Sequence, residues 1–296
     1  MEGDGRALLL GLSAVLLWST VATAFKIALR YMDVYQLLLY ASVFSALSLF
    51  LVVLRRGRAG LLRRYFSDTP GYFVGVALLN PCAYYLVLFN AYDLLPAQQA
   101  QAINYTWAIM LTLMAVPLLG QRLHGRDIVA TLVGYGGVLI IATRGDVSSL
   151  RFDSGKGVAL ALSSTVIWAY YWIVSARNRR DPAVSLCINF VLATPVCLVL
   201  CLVFSAPEFP DWRGFLAAAY VGLFEMGVTF LLWSAALRGA SRVARISNLI
   251  FLAPFVSLVF IQGVLGEPVH PATLAGLCLI VPAALFQQMQ VGRPGA

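Results

Sequence analysis

The chain has 296 residues, of which 60% are hydrophobic and 11% charged, with a mean hydropathy of +0.83. Polar side chains in that proportion cannot cover a water-soluble globule, so lipid is the solvent for most of the surface. The formal net charge of +8 has to be read against a bilayer before nucleic acid is invoked.

A spanning helix needs about 20 apolar residues. Ten such runs follow one another, at 7–29, 34–54, 71–91, 96–118, 127–143, 157–176, 183–204, 213–236, 243–265 and 272–290. The chain is therefore expected to be an all-α integral membrane protein with no room for a soluble domain. In the first span Ser19, Thr23, Lys26 and Arg30 recur at helical spacing and form one stripe. The third span has Asn80 and Tyr84 four apart, and in the fourth Gln98, Gln101 and Tyr105 share a face with Asn104 beside it. The sixth aligns Ser164, Trp168, Tyr171 and Ser175; the eighth aligns Glu225, Thr229 and Trp233. The longest polar segments, 55–69 and 143–156, are linkers. Cys82, Cys187, Cys197, Cys201 and Cys278 all fall inside spans without metal-ligand spacing and read as packing residues. No cofactor is implied.

The segments 6–30 and 156–180 repeat one pattern: a basic residue, about twenty mostly apolar ones containing Trp18 or Trp168, then Arg. Gln121 and His124 likewise match Glu267 and His270. The chain thus reads as two homologous halves, 7–143 and 157–290, joined by the second linker. Five spans per half is odd, so the second half enters the membrane upside down, as an inverted repeat. With the N-terminus in the cytoplasm, fifteen of the 21 Lys and Arg fall on inside segments, five outside, and Lys26 within a span. The positive-inside rule then puts both termini in the cytoplasm of a multi-pass cell (inner) membrane protein, and the net charge is topology with no nucleic-acid partner needed. Arg6, an apolar run and Ala22-Thr23-Ala24 also resemble a signal peptide. Cleavage there would remove the partner of the helix at 157–176 and break the repeat.

Polar groups inside spans cost free energy unless they face the protein interior or a wet cavity. At 1.5 Å per residue, Trp18, Trp168, Glu225 and the stretch from Tyr105 to Trp107 lie roughly 13–18 Å from their span ends, at the depth where alternating-access carriers hold substrate. Glu225 is the sole mid-span acid, a candidate proton sensor or anchor for a substrate amine. Lys26 sits near its span end and is expected to snorkel outward. Asn80, Gln101, Asn104 and tyrosine hydroxyls offer hydrogen bonds. Trp18, Tyr84, Tyr105, Trp107 and Trp168 offer flat apolar walls and cation-π faces. Tyr171 completes the candidate set on the stripe of Trp168.

These features resemble the EamA domains of the drug/metabolite transporter superfamily. The resemblance is carried by Trp18-Ser19-Thr20, Pro96-Ala97, Asn104-Tyr105-Thr106-Trp107, Pro254, Gly266-Glu267 and Gly276. Within that superfamily Leu17-Trp18-Ser19-Thr20, Asn104-Tyr105-x-Trp107 and Ile167-Trp168-Ala169-Tyr170 look most like aromatic amino-acid exporters. The resemblance implies two inverted five-helix repeats and export of amino acids or similar small metabolites. It also implies a central cavity lined by spans 1, 3, 4, 6, 8 and 9, with spans 5 and 10 peripheral. The sequence departs at Gln121, where Glu is usual, and at Ala108, where Pro often follows the Trp. The missing Pro removes a helix breaker near the site, so a kink there does not carry over from relatives.

Other functions fit poorly. A phosphate or nucleotide-sugar site would want several buried Arg or Lys. An intramembrane enzyme would want a pair of carboxylates, a His within a span or a Gly-x-Ser-x-Gly turn. A carrier of uncharged amino acids, including aromatic ones, is the expectation.

Overall fold

A computed structural model describes residues 2–120, 124–148, 152–209, 211–241 and 246–291. It is all-helical among the described residues. Nine helices there are long and apolar enough to cross a membrane: α1 (Asp4–Leu29), α2 (Val34–Arg55), α3 (Pro70–Leu94), α4 (Ala97–Leu119), α5 (Gly125–Ala142), α6 (Gly155–Ala176), α7 (Pro182–Phe204), α8 (Trp212–Gly239) and α9 (Asn248–Leu265). A further apolar stretch, Pro271–Phe286, begins the last helix, α10 (Pro271–Val291). A short helix, Ala59–Asp68, links α2 to α3. Gln121, Arg122, Arg151, Arg242, Arg245 and Arg293, which entered the repeat and charge arguments, lie outside the described residues.

In hydrocarbon every backbone group needs a partner, and the helix starts show how this chain supplies them. Asp33 Oδ1 accepts the amides of Tyr35 and Gln36 at 2.8 and 3.0 Å, while Gln36 returns a bond to the Asp33 amide. Ser154 and Asp181 cap α6 and α7 through the amides of Gly157 and Val184. The outward faces stay apolar: Leu132, Val203 and Val259 are 68%, 65% and 69% exposed, which only a lipid surround makes tolerable.

The helices pack in definite pairs. α2 lies on α7, and α5 lies on α10; α1 packs on α8 and α9, while α6 packs on α3 and α4. α2 also meets α8, and α7 meets α3. The α5–α10 seam is backbone-close. A Cβ on Gly137 would sit 2.7 Å from the Gly276 carbonyl oxygen, and one on Gly276 would sit 2.6 Å from that of Gly137. Small residues at such a crossing supply the van der Waals contact that holds helices together in lipid.

Four helices are interrupted. In α3 the turn Leu78–Ala83 is widened around Pro81, and Asn80 leaves helical geometry at φ −142°, ψ 115°. In α4 the α-helix stops at Asn104 and resumes at Trp107. The break occurs without the expected Pro. The Thr106 amide and hydroxyl both bond the Ile103 carbonyl, at 3.0 and 2.8 Å, and tighten the turn to an i to i−3 pattern. The break is thus made by local bonding in place of the Pro. α8 is widened over Val221–Val228, the turn that carries Glu225, and α9 opens with a tight 3₁₀ turn, Asn248–Leu252.

Candidate functional site: an aromatic cavity between the helices

A cavity of about 270 Å³ lies in the middle of the bundle, walled by residues of α1, α3, α4, α6, α8 and the start of α9. That is at the small end of ligand pockets, about 300–1,000 Å³. Its walls follow from the interruptions. The break at Asn104–Trp107 brings Asn104, Tyr105 and Trp107 to one cavity, where an unbroken helix would spread them around its circumference.

Tyr84 of α3 and Trp168 of α6 stack with ring centroids 4.3 Å apart. Trp168 also meets the edge of Phe230 at 5.9 Å, and Phe230 in turn meets Trp18 at 5.5 Å. Trp18 and Trp233 lie edge to face at 5.4 Å. On the α4 side Trp107 stacks on Trp172 at 6.3 Å. Against this apolar lining stands a short polar strip. Asn104 Nδ2 donates to Ser164 Oγ at 2.9 Å, and the Tyr84 hydroxyl donates to Asn104 Oδ1 at 3.5 Å. Gln101 Oε1 accepts from Ser257 Oγ of α9. Glu225 is the carboxyl group of the lining. Its Oε1 accepts the Tyr85 hydroxyl at 3.2 Å, and its Oε2 is buried without a hydrogen-bond partner. A carboxylate with spare acceptor capacity, surrounded by aromatic faces, is chemically suited to an ammonium group.

Eight of the ten candidate residues line this cavity: Trp18, Tyr84, Gln101, Asn104, Tyr105, Trp107, Trp168 and Glu225. Asn80 and Tyr171 do not. Asn80 is buried in the α3 break, which turns it off the stripe of Tyr84; Tyr171 stacks behind Trp168 at 5.1 Å and supports its ring. The polar stripe of α1 is also turned away. The cavity face of α1 is Trp18, Val21, Ala22 and Phe25, while the buried Ser19 donates to its own helix at the Val15 carbonyl, 2.7 Å. Lys26 does not snorkel outward. It is half-buried, and Nζ donates to the carbonyls of Tyr92 and Leu95 at 2.7 and 3.0 Å, closing the C-terminal end of α3 where a cation suits the helix dipole. Trp172, Phe230 and Trp233 were not among the candidates. Trp172 follows Trp168 by one helical turn, and Trp233 follows Glu225 by two, so their spacing carried the signal.

Membrane-length helices thus close around a central aromatic cavity, the architecture of a multi-pass membrane protein. Comparison with known proteins gives the family. The model of the EamA-like transporter family matches residues 5–143 and 155–287, and the chain belongs to that family. Over 277 residues, 93% of this chain and 94% of the relative, it is 26% identical to the aromatic amino acid exporter YddG of Ancylobacter novellus. It is 24% identical over 290 residues to a probable terminal-alkyne amino-acid exporter of Streptantibioticus cattleyicolor, covering 94% of this chain and 92% of that one. A crystal structure at 21% identity superposes with a TM-score of 0.69 over 98% of both chains, and so shares the fold.

Proposed function

We propose that this chain exports amino acids, aromatic and other uncharged ones among them, and similar small metabolites by alternating access through the central cavity. The observation that carries the reading is the cavity lining, aromatic walls with the Glu225 carboxyl group and the amides of Gln101 and Asn104 among them. An amino acid side chain takes the rings as apolar walls, its ammonium group takes Glu225, and its carboxylate takes the amide and hydroxyl donors. The eight lining candidates are the substrate-contacting residues in this reading, with Tyr171 and Asn80 positioning the walls. Weak binding, on the order of 0.1–10 mM, is expected from so few contacts without a fixed cation.

The architecture proposed with it is ten spans in two inverted halves, 7–143 and 157–290. The packing supports this: exchanging α1–α5 with α6–α10 turns the α3–α6 pair into α8–α1 and the α4–α6 pair into α9–α1, and leaves α2–α7 and α5–α10 unchanged. The interruptions pair in the same way, α3 with α8 and α4 with α9, and broken helices at corresponding positions point to the binding site of a carrier. The excess of Arg on one side favours an inner-membrane orientation with both termini cytoplasmic.

The test is uptake of labelled phenylalanine, leucine and a sugar phosphate into proteoliposomes, with and without a pH gradient. Saturable movement of the two amino acids and none of the sugar phosphate is expected. Exclusive transport of the phosphorylated compound would overturn the proposal.

A further inference from the structure

A second cavity, of about 420 Å³, lies at the far end of α1, with Lys26, Gln99, Arg144, Glu267, His270 and Thr273 among its wall residues. Neighbouring residues of α1 wall the two cavities. Phe25 and Tyr92 line the central cavity, their rings 5.1 Å apart with Phe89 against Phe25 at 4.9 Å. Lys26, the next residue, lines the second cavity and holds the Tyr92 carbonyl.

The chemistry of the two cavities is complementary. Where the first has rings and one acid, the second has an ammonium, a guanidinium and a carboxylate, drawn from α1, the end of α5 and the loop before α10. Its walls are held in place. Gln98 is committed through its amide to Pro268, and its oxygen accepts the His270 amide and the Thr273 hydroxyl at 2.9 and 2.8 Å. Arg144 is anchored by Nε to Asp153 at 2.8 Å, and Gln99 Nε2 reaches the same carboxylate oxygen at 2.8 Å. That bond fixes which end of the Gln99 amide is oxygen. Gln99 is 3% exposed, and its Oε1 is buried with no hydrogen-bond partner, which leaves this wall residue short of a donor. Glu267 commits one oxygen to the Ala97 amide at 3.0 Å.

A carboxylate suits Lys26 and the fork of Arg144. An ammonium suits Glu267 and supplies the donor that Gln99 lacks. A bare anion has no donor to give, and a bare metal cation would meet two fixed positive charges. We infer that this cavity is a second binding site, distinct from the central one, that takes a small zwitterion with its carboxylate toward Lys26 and Arg144. The inference rests on the reading of the chain as an amino-acid carrier and gives that carrier two stations: the central one, which holds the side chain together with the charged ends, and a second that holds chiefly the charged ends.

Thiol protection reads weak sites directly. In a Cys278→Ser background, His270→Cys places a reporter in the wall, with Pro268→Cys, at an exposed position of the same wall, as a second reporter where the first fails to fold. Phenylalanine, at concentrations that saturate transport, is expected to slow modification of the reporter, and phenylalaninamide, which lacks the carboxylate, to protect at least about tenfold less well. Arg144→Gln should raise the half-protecting concentration about tenfold, the loss of one charge-assisted contact. Trp168→Ala, a central-cavity change, should leave it unaltered. Absence of protection, protection insensitive to Arg144→Gln, protection abolished by Trp168→Ala, or equal protection by acetate or phosphate would each overturn the second site. Failure of the export reading shows separately, as normal transport by Trp168→Ala or none by the wild type.

Discussion

Replacing Glu225 with Gln isolates charge from shape. The amide keeps the length of the side chain and an oxygen for the Tyr85 hydroxyl, which lies 3.2 Å from Oε1, while the second oxygen, buried and unpartnered, becomes an NH₂. If that oxygen receives the substrate ammonium, the variant loses one hydrogen bond between charged groups, about 1.5–3 kcal/mol. At about 1.4 kcal/mol per decade, the half-saturation concentration for phenylalanine should rise between about tenfold and a hundredfold. Uptake of labelled phenylalanine into proteoliposomes, over a concentration series at several pH values, measures it. Thermal melting of the purified variant checks folding. Inhibition by 3-phenylpropionate, which has the ring and carboxylate but no amine, should be unchanged. Half-saturation within about twofold of wild type would refute the anchoring role, and loss of pH dependence at unchanged half-saturation would assign Glu225 to proton coupling instead.

Trp107→Ala removes the ring that stacks on Trp172 at the cavity wall, and transport should fall at least tenfold at normal expression; normal export would make Trp107 a packing residue. A cysteine at Gly60, in the polar segment after α2, should be shielded in intact cells from impermeant thiol reagents added outside, and its labelling there would invert the topology. Gly276→Ala drives a methyl group into the Gly137 carbonyl and should cost about 1–3 kcal/mol through overpacking, read as a lower melting temperature in detergent with little change in half-saturation.

The membrane class, the apolar runs and the polar part of the cavity lining were legible because a bilayer penalises polar groups so heavily that Glu225, Asn104 and Gln101 stand out within spans. Trp18 and Trp168 stood out as aromatics far from the interfaces, and Tyr84 through its helical spacing from Asn80. What escaped the sequence came from broken helices. A stripe read at 3.6 residues per turn assumes a continuous axis, and the turn at Asn80 abandons helical geometry, so Asn80 and Tyr84 part company. The α4 break was hidden because the signal sought was Pro, whereas Thr106 supplies it through bonds to the Ile103 carbonyl. Lys26 was misplaced because depth alone does not reveal the carbonyls of Tyr92 and Leu95 beside it.

The interruptions in α3, α4, α8 and α9 also bear on motion. Bending a continuous helix in lipid means surrendering a backbone hydrogen bond where no water can replace it. At Leu78–Ala83, Tyr105–Thr106, Val221–Val228 and Asn248–Leu252 the regular i to i−4 ladder has already been given up. In the alternating-access cycle proposed above, these points are the pivots, where bending sacrifices no further regular backbone hydrogen bond. In that cycle the cavity walls, mounted beside the pivots, would turn through a small arc while the far ends of the same helices swept a larger one. A carrier working in that way would open and close its mouths without dismantling the place where cargo sits.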